Sequence, residues 1–178
     1  MSIKKRQRKL RKKASVMFIC TGNTCRSPMA QVIFKAFCRS KKELDVTVSS
    51  SGINVKSGSH MSFNAILALK KLGYVKSEKY STYMDMSSFN CYNFVSMQFD
   101  YNFIHQFDMI VCMTSSHKNA IGDYNNVYLF SEISGGKDVF DPFGGSVDEY
   151  ITVAKYFEYC CSDIYDVLLK LKTKNEMV

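Results

Sequence analysis

Short apolar runs alternate with longer segments of helical periodicity along this chain. The first run, residues 16–19, is partly β-branched or aromatic and ends at Cys20, as expected of a strand that is buried on both faces. Apolar residues then recur at helical spacing, at Met29, Val32, Ile33, Ala36 and Phe37. The pattern therefore predicts a strand, a loop and a helix at the start of the folded region.

Strand and helix signals continue to alternate after this unit. Further strands are predicted at residues 46–50, 107–113 and 127–130. Helices are predicted at residues 62–72, 114–121 and 147–171. This order is typical of an α/β fold with three layers, an open sheet of about four parallel strands with helices on both faces. Ligands of such sheets lie beyond the carboxyl ends of the strands, which is where the first loop is placed.

Residues 76–106 fit this alternation least well. The segment is rich in Tyr, Phe, Asn, Ser and Met, and it lacks Pro and Gly. We interpret it as an atypical segment, either a helical insertion or a mobile flap near the site. Packing is the more general role of its aromatic residues.

The loop between the first strand and helix carries the strongest chemical signal. Its sequence is Cys20-Thr21-Gly22-Asn23-Thr24-Cys25-Arg26-Ser27. Gly22 and Asn23 tolerate left-handed backbone angles, which would turn successive N–H groups inward around an anion. Ser27 is a suitable N-cap for the helix, and Pro28 suits its first position. Since helix N-termini attract anions, the loop predicts a phosphate site.

Cys20 and Arg26 supply a nucleophile and a clamp for that phosphate. An unperturbed thiol titrates near ~8.5, and helix N-termini and cations lower this to roughly 3.5 to 7.5, so we expect a thiolate at neutral pH. Arg26 can bind two oxygens of a phosphoryl group and hold the transferring charge. The loop therefore predicts a phosphatase that acts through Cys20, without a metal or another cofactor.

The run from Cys20 to Pro28 resembles the signature loop of the low-molecular-weight protein phosphatases, in which a cysteine, five residues and an arginine precede Ser-Pro. The resemblance continues at Asp141-Pro142, where the family carries its general acid, and covers about residues 16–172. It implies that Cys20 attacks phosphorus to form a cysteinyl-phosphate. Arg26 and the loop amides would hold the equatorial oxygens.

By the same resemblance, Asp141 protonates the leaving group and then activates water for the second step. Ser27 would donate to the thiolate, and Asn23 would shape the loop. The substrate implied is a phosphorylated protein.

Two positions bear on which phosphorylated residue is the substrate. Tyrosine phosphatases of the family generally have a bulkier aliphatic residue at Thr24, and commonly have tyrosines where this chain has Phe143, Gly144 and Gly145. The run from Cys20 to Ala30 is most similar to the bacterial protein-arginine phosphatases. We therefore expect phosphoarginine, with Thr24 and Phe143 in the substrate pocket and Asp141 pairing with the guanidinium. Phosphotyrosine is the alternative.

Two rival functions rank behind these. Arsenate reductases share the loop, but they need closely spaced cysteines to pass on the oxidation, and Cys91 stands alone in its segment. The second rival function is that of a non-catalytic protein that binds phosphoproteins or senses redox state. The presence of Cys20, Arg26 and Asp141 together argues against this function. We also expect a reversible disulfide between Cys20 and Cys25 under oxidation.

Composition adds one further feature, a basic tail. The 178 residues carry a formal charge of +8, and eight basic residues lie within residues 4–13. We expect residues 1–13 to be a flexible tail that could contact an anionic partner weakly, and residues 14–178 to be a single domain.

Seven scattered cysteines and no span long enough for a membrane favour a cytoplasmic protein. His117 is assigned a structural or surface role, and the oligomeric state is left open.

Overall fold

The computed structural model describes residues 11–75 and 90–174, and these contain an open sheet of four parallel strands. The strands lie in the order β2-β1-β3-β4. Their bounds are Lys12–Cys20 for β1, Leu44–Gly52 for β2, Met109–Cys112 for β3 and Val127–Leu129 for β4. The predicted sheet is thus confirmed.

Helices connect the strands and cover both faces of the sheet. They are α1 Arg26–Arg39, α2 Phe63–Lys71, α3 Ser115–Ile121, α4 Phe130–Ser134 and α5 Val147–Lys174, with a 3₁₀-helix at Tyr101–Gln106. Because side chains alternate along a strand, β1 supplies Val16 and Phe18 to the core under α1, α2 and α5. Met17 and Ile19 enter the smaller core on the opposite face. No helix in the described part of the chain is long and apolar enough to cross a membrane.

Several predicted boundaries are wrong, among them those of β1, β3 and β4. β1 begins at Lys12, which pairs with Leu44, so the last two residues of the expected tail belong to the sheet; residues 1–10 lie outside the described residues. β3 begins only at Met109, because Asp108 accepts a hydrogen bond from the backbone of Ser15 (2.8 Å). β4 ends at Leu129, and the fully buried Phe130 begins the short helix α4, which the sequence did not predict.

The described part of the atypical segment packs beside the first loop. Residues 76–89 lie outside the described residues. The backbone of Met97 accepts from Gly52 N (2.9 Å), and Phe99 N donates to Gly52 O (2.8 Å). These bonds fasten the segment to the carboxyl end of β2.

Candidate active site

The loop from Cys20 to Arg26 joins the carboxyl end of β1 to the start of α1. The helix begins at Arg26, and its N-cap is Cys25, whose side chain makes no capping bond. The predicted cap at Ser27 is therefore wrong. The Ser27 hydroxyl instead lies 3.0 Å from Cys20 Sγ and 3.2 Å from the backbone oxygen of Ser51.

A cavity of about 240 Å³ opens at this loop. Eight of the ten predicted site residues line it: Cys20, Thr21, Gly22, Thr24, Cys25, Arg26, Asp141 and Phe143. The other two, Asn23 and Ser27, are completely buried behind it. The structure thus brings Asp141 and the loop together across more than a hundred residues of sequence.

Asn23 ties the loop to its surroundings. It has a left-handed backbone, with φ of 53°, as predicted, whereas Gly22 is not among the residues with positive φ. The Asn23 side-chain amide donates to the hydroxyls of Ser27 (2.8 Å) and Ser50 (2.9 Å). Its side-chain oxygen accepts from Met97 N (2.9 Å). Every polar atom of this side chain is therefore engaged, which fixes the turn.

Several residues that support the loop were missed from the sequence. Ser96, from the atypical segment, donates its hydroxyl to the backbone oxygen of Asn23 (2.8 Å). Gly52 lies against the loop backbone, where a Cβ atom would collide with Thr21 O and come within 2.9 Å of Asn23 N. The run of small residues at 49–52, at the end of a predicted strand, is the signal that could have indicated this close approach.

The electrostatics of Cys20 differ from the expectation. Burial raises the pKa of the Cys20 thiol, against the lowering effects of the Ser27 hydrogen bonds, the Arg26 charge and the Asn23 backbone. The expected drop in the thiol pKa is thus not found, because desolvation exceeds the effect of the surrounding donors.

Arg26 forms an ion pair with Asp141 across the cavity. Arg26 Nη2 lies 2.6 Å from Asp141 Oδ2, and the Arg26 side chain is 6% exposed whereas that of Asp141 is 50% exposed. Arg26 Nε is buried and has no acceptor among the described residues. Since buried donors are nearly always paired, this N–H suits an oxygen of an anion in the cavity.

Cys25 points towards helices α2 and α5. Its Sγ lies 3.3 Å from the hydroxyl of Tyr150 and 3.4 Å from those of Ser62 and Thr24. Burial and the contact with Cys25 raise the pKa of Tyr150 to about 12. Cys20 and Cys25 are both thiols here, and their pairing under oxidation stays a prediction.

His117 lies beneath the loop and is 3% exposed. Its Nε2 is 2.9 Å from Thr21 Oγ1, and its Nδ1 is 2.7 Å from Thr114 Oγ1. Burial lowers the pKa of His117 to about 4, with a further lowering from the Arg26 charge, so the ring is neutral near pH 7.

A larger cavity, of about 470 Å³, lies at the other end of the sheet, before β3 and β4. Asp108 and Lys172 line it and form an ion pair (2.8 Å). None of the predicted site residues lines this larger cavity.

Comparison with known proteins agrees with this geometry. Residues 15–175 match the family model "Low molecular weight phosphotyrosine protein phosphatase". The chain is 34% identical over 142 residues to a protein-arginine-phosphatase of Bacillus subtilis (strain 168), covering 76% of this chain and 83% of that protein. It is 31% identical over 140 residues to the low molecular weight protein-tyrosine-phosphatase PtpB of Staphylococcus haemolyticus, covering 76% and 86% respectively.

A solved structure of a YwlE mutant from Bacillus subtilis superposes with a TM-score of 0.72 at 28% identity, covering 87% of this chain and 98% of that chain. The family model spans the loop, most of β1, the other three strands and the Asp-Pro segment. This protein therefore belongs to the low molecular weight phosphotyrosine protein phosphatase family.

Proposed function

We propose that the protein is a protein-arginine phosphatase in which Cys20 is the nucleophile. Cys20 Sγ attacks the phosphorus of a phosphorylated arginine, the P–N bond breaks, and Asp141 gives a proton to the departing guanidine nitrogen. A water then attacks the cysteinyl-phosphate, with Asp141 accepting its proton, and releases phosphate and the thiolate.

Polar neighbours of Cys20 stabilise the thiolate that performs this attack, in opposition to the larger effect of burial on the pKa of Cys20. Asn23 donates to the Ser27 oxygen, which leaves the Ser27 hydroxyl hydrogen to bond either Ser51 O or Cys20 Sγ. A charged sulfur attracts this hydrogen more strongly than a carbonyl does. Ser27 therefore supports the charged form of Cys20 against the cost of burial.

Arg26 is the clamp for the phosphoryl group. Arg26 lines the cavity, its buried Nε has no acceptor among the described residues, and its Nη2 donates to Asp141. When an oxygen of the substrate takes the place of the Asp141 carboxylate on Nη2, both donors can hold the phosphoryl group in a fork. Asp141 is then released to act on the leaving group.

The observation that carries the assignment to arginine is that Thr24 and Asp141 both line the cavity. A guanidinium is positively charged and rich in donors, so it needs acceptors beside the phosphoryl site. The Asp141 carboxylate and the Thr24 hydroxyl are two such groups. The similarity to the arginine phosphatase of Bacillus subtilis supports the same choice.

The alternative substrate is phosphotyrosine. Phe143 lines the cavity and is 75% exposed, so its ring is available to pack against a phenol ring. The similarity to PtpB also favours this alternative.

A release assay with matched phosphoarginine and phosphotyrosine peptides separates the two. We expect the parent to prefer phosphoarginine, the Thr24→Ile variant to shift towards phosphotyrosine, and Cys20→Ser to release nothing. Thr47→Ile, at an exposed position of β2, is the control and should keep the parent's preference. Equal turnover of both peptides by the parent, or an unchanged preference in Thr24→Ile, would exclude the arginine assignment.

A further inference from the structure

We propose that His117 is a positioning residue of the active site, which accepts a hydrogen bond from Thr21 and so holds the Thr21 oxygen towards Arg26. The proposal rests on the proposed function in one respect, that the cavity binds a phosphoryl group through Arg26. It assigns a task to a histidine for which the sequence indicated only a structural or surface role.

The contacts of His117 connect the loop to helix α3. Nε2 meets Thr21 Oγ1 at 2.9 Å, and Nδ1 meets Thr114 Oγ1 at 2.7 Å. Thr114 is the N-cap of α3, where its hydroxyl also receives the backbone N–H of His117. One ring nitrogen thus bonds to the helix cap and the other to a cavity residue.

The chemistry of Arg26 sets the direction of these bonds. Its guanidinium can only donate, and Nη2 lies 3.5 Å from Thr21 Oγ1. Thr21 therefore accepts from Arg26, and its own hydrogen is free to point to His117. A neutral ring is most stable with its lone pair, rather than an N–H, towards the Arg26 charge. The hydrogen of the ring then lies on Nδ1 and is donated to Thr114.

This direction has a consequence for the cavity. Thr21 lines the cavity, and its single hydroxyl hydrogen is held by His117. The Thr21 oxygen therefore presents acceptor sites to Arg26 and to the cavity, and it offers no donor there. Together with Val139 O, which accepts from Nη1 (3.5 Å), it fixes the plane of the guanidinium that is to receive the phosphoryl oxygens.

Three substitutions of His117 separate positioning from simple support. His117→Gln can place its side-chain oxygen near the position of Nε2 and keep an acceptor for Thr21. His117→Asn reaches only the position of Nδ1 and keeps the contact with Thr114. His117→Ala loses both. Thr21→Val, combined with each variant, removes the hydroxyl that His117 is proposed to hold.

The readout is the affinity for inorganic phosphate, measured by titration calorimetry at pH 7. We expect His117→Ala and His117→Asn to bind phosphate about tenfold more weakly than the parent, and His117→Gln to stay within about threefold, since one hydrogen bond is at stake. In the Thr21→Val background the three variants should become equal. Equal phosphate affinity of His117→Asn and His117→Gln would overturn the proposal. A difference in affinity between these two variants that persists in the Thr21→Val background would also overturn it.

The hydrogen position is tested on the parent protein by ¹H–¹⁵N spectra of the histidine rings. The expected signature is a neutral His117 ring with its hydrogen on Nδ1 at pH 7, and a hydrogen on Nε2 would contradict the proposed direction. Neither this spectrum nor the phosphate titration depends on which phosphorylated residue is hydrolysed. If the parent hydrolysed neither peptide, the proposed function would fail while these two measurements still decided the role of His117.

Discussion

The loop from Cys20 to Arg26, here named the phosphate loop, and the loop that carries Asp141 line the same cavity but are held very differently. Asn23, in the phosphate loop, and Ser27, which follows the loop, are fully buried. The Asn23 side chain forms hydrogen bonds with residues of α1, β2 and the segment before β3. On the other side, Phe140 and Phe143 flank Asp141 and are 61% and 75% exposed. The Asp141 loop is fastened nearer its ends, by Val139 N to Met113 O (2.8 Å) and by Asn64 to Gly145 O (2.9 Å).

The difference matches what the proposed mechanism requires of each loop. In that mechanism the nucleophile and the clamp work by being preorganised, so their loop gains from rigid support. An acid that later becomes a base, and that first pairs with Arg26, has to change partners during one turnover. An exposed loop permits this change and also leaves the cavity open to a protein chain.

The largest effect should come from removing the acid on the exposed loop. Asp141→Asn should lower turnover of the preferred peptide by roughly 10³-fold, because the leaving group goes unprotonated. With Arg26 no longer neutralised, the pKa of Cys20 should fall, and iodoacetamide should label Cys20 faster at pH 7. Asp148→Asn, exposed at the start of α5, is the matched control. Unchanged turnover would remove Asp141 from the mechanism.

The next largest effect should come from a substitution that disturbs the packing of β2 against the phosphate loop. Gly52→Ala forces a Cβ atom into the backbone of Thr21 and Asn23, so the free energy of unfolding should fall by about 1–3 kcal/mol. Urea denaturation measures this. Gly22→Ala is the control, since its Cβ would meet only Thr24 Oγ1 at 3.8 Å. Equal stability of the two variants would contradict the tight contact between β2 and the loop.

The buried His117 should make stability depend on pH. Its pKa is about 4 in the folded protein, against 6.5 for an unperturbed histidine, so the unfolded chain binds a proton that the folded protein does not. The stability that neutral His117 provides is complete above about pH 6.5 and is lost as pH falls towards 4, by about 3 kcal/mol at most.

Urea denaturation from pH 7.5 to 4.5 should therefore show a steeper loss for the parent than for His117→Gln, which has no charge to bury. Arg26, Asp138 and Asp141 are the charged groups that act on the ring, and Arg26 opposes its protonation. The same slope in both proteins would show that His117 titrates normally.

The smallest effect should come from a single bond at the edge of the supported loop. Ser96→Ala removes the donor to the buried oxygen of Asn23, which should cost about 1 kcal/mol of unfolding free energy and lower turnover a few-fold. Ser40→Ala, which removes a similar bond to Phe37 O on the surface, is the control. If both changes had the same effect, Ser96 would have no special link to the loop.

The sequence predicted the parts of the site that are contiguous in the chain. The order of Cys20, Arg26 and the helix after them follows from local patterns, and so do the four strands. Local patterns could not predict that Ser96 and Gly52 support Asn23, because these contacts join segments that are far apart in sequence. The helix at Phe130 was missed because its burial depends on packing against α5.

The thiol of Cys20 shows a second limit of sequence analysis. The donors around it were expected from the loop motif, and each of them does lower its pKa. Burial of the loop beneath the surrounding segments is a tertiary effect, and its size reverses the net direction. The contact between His117 and Thr21 was likewise hidden from local patterns, because the two residues are 96 positions apart.

The most direct test of the central claim is to identify the group that carries phosphate during turnover. Acid quench of the enzyme with the phosphoarginine peptide, followed by peptide mapping with mass spectrometry, should find one phosphoryl group on Cys20 and none in Cys20→Ala. Phosphate on another residue of the parent, or full turnover by Cys20→Ala, would contradict the claim that this loop acts through its cysteine.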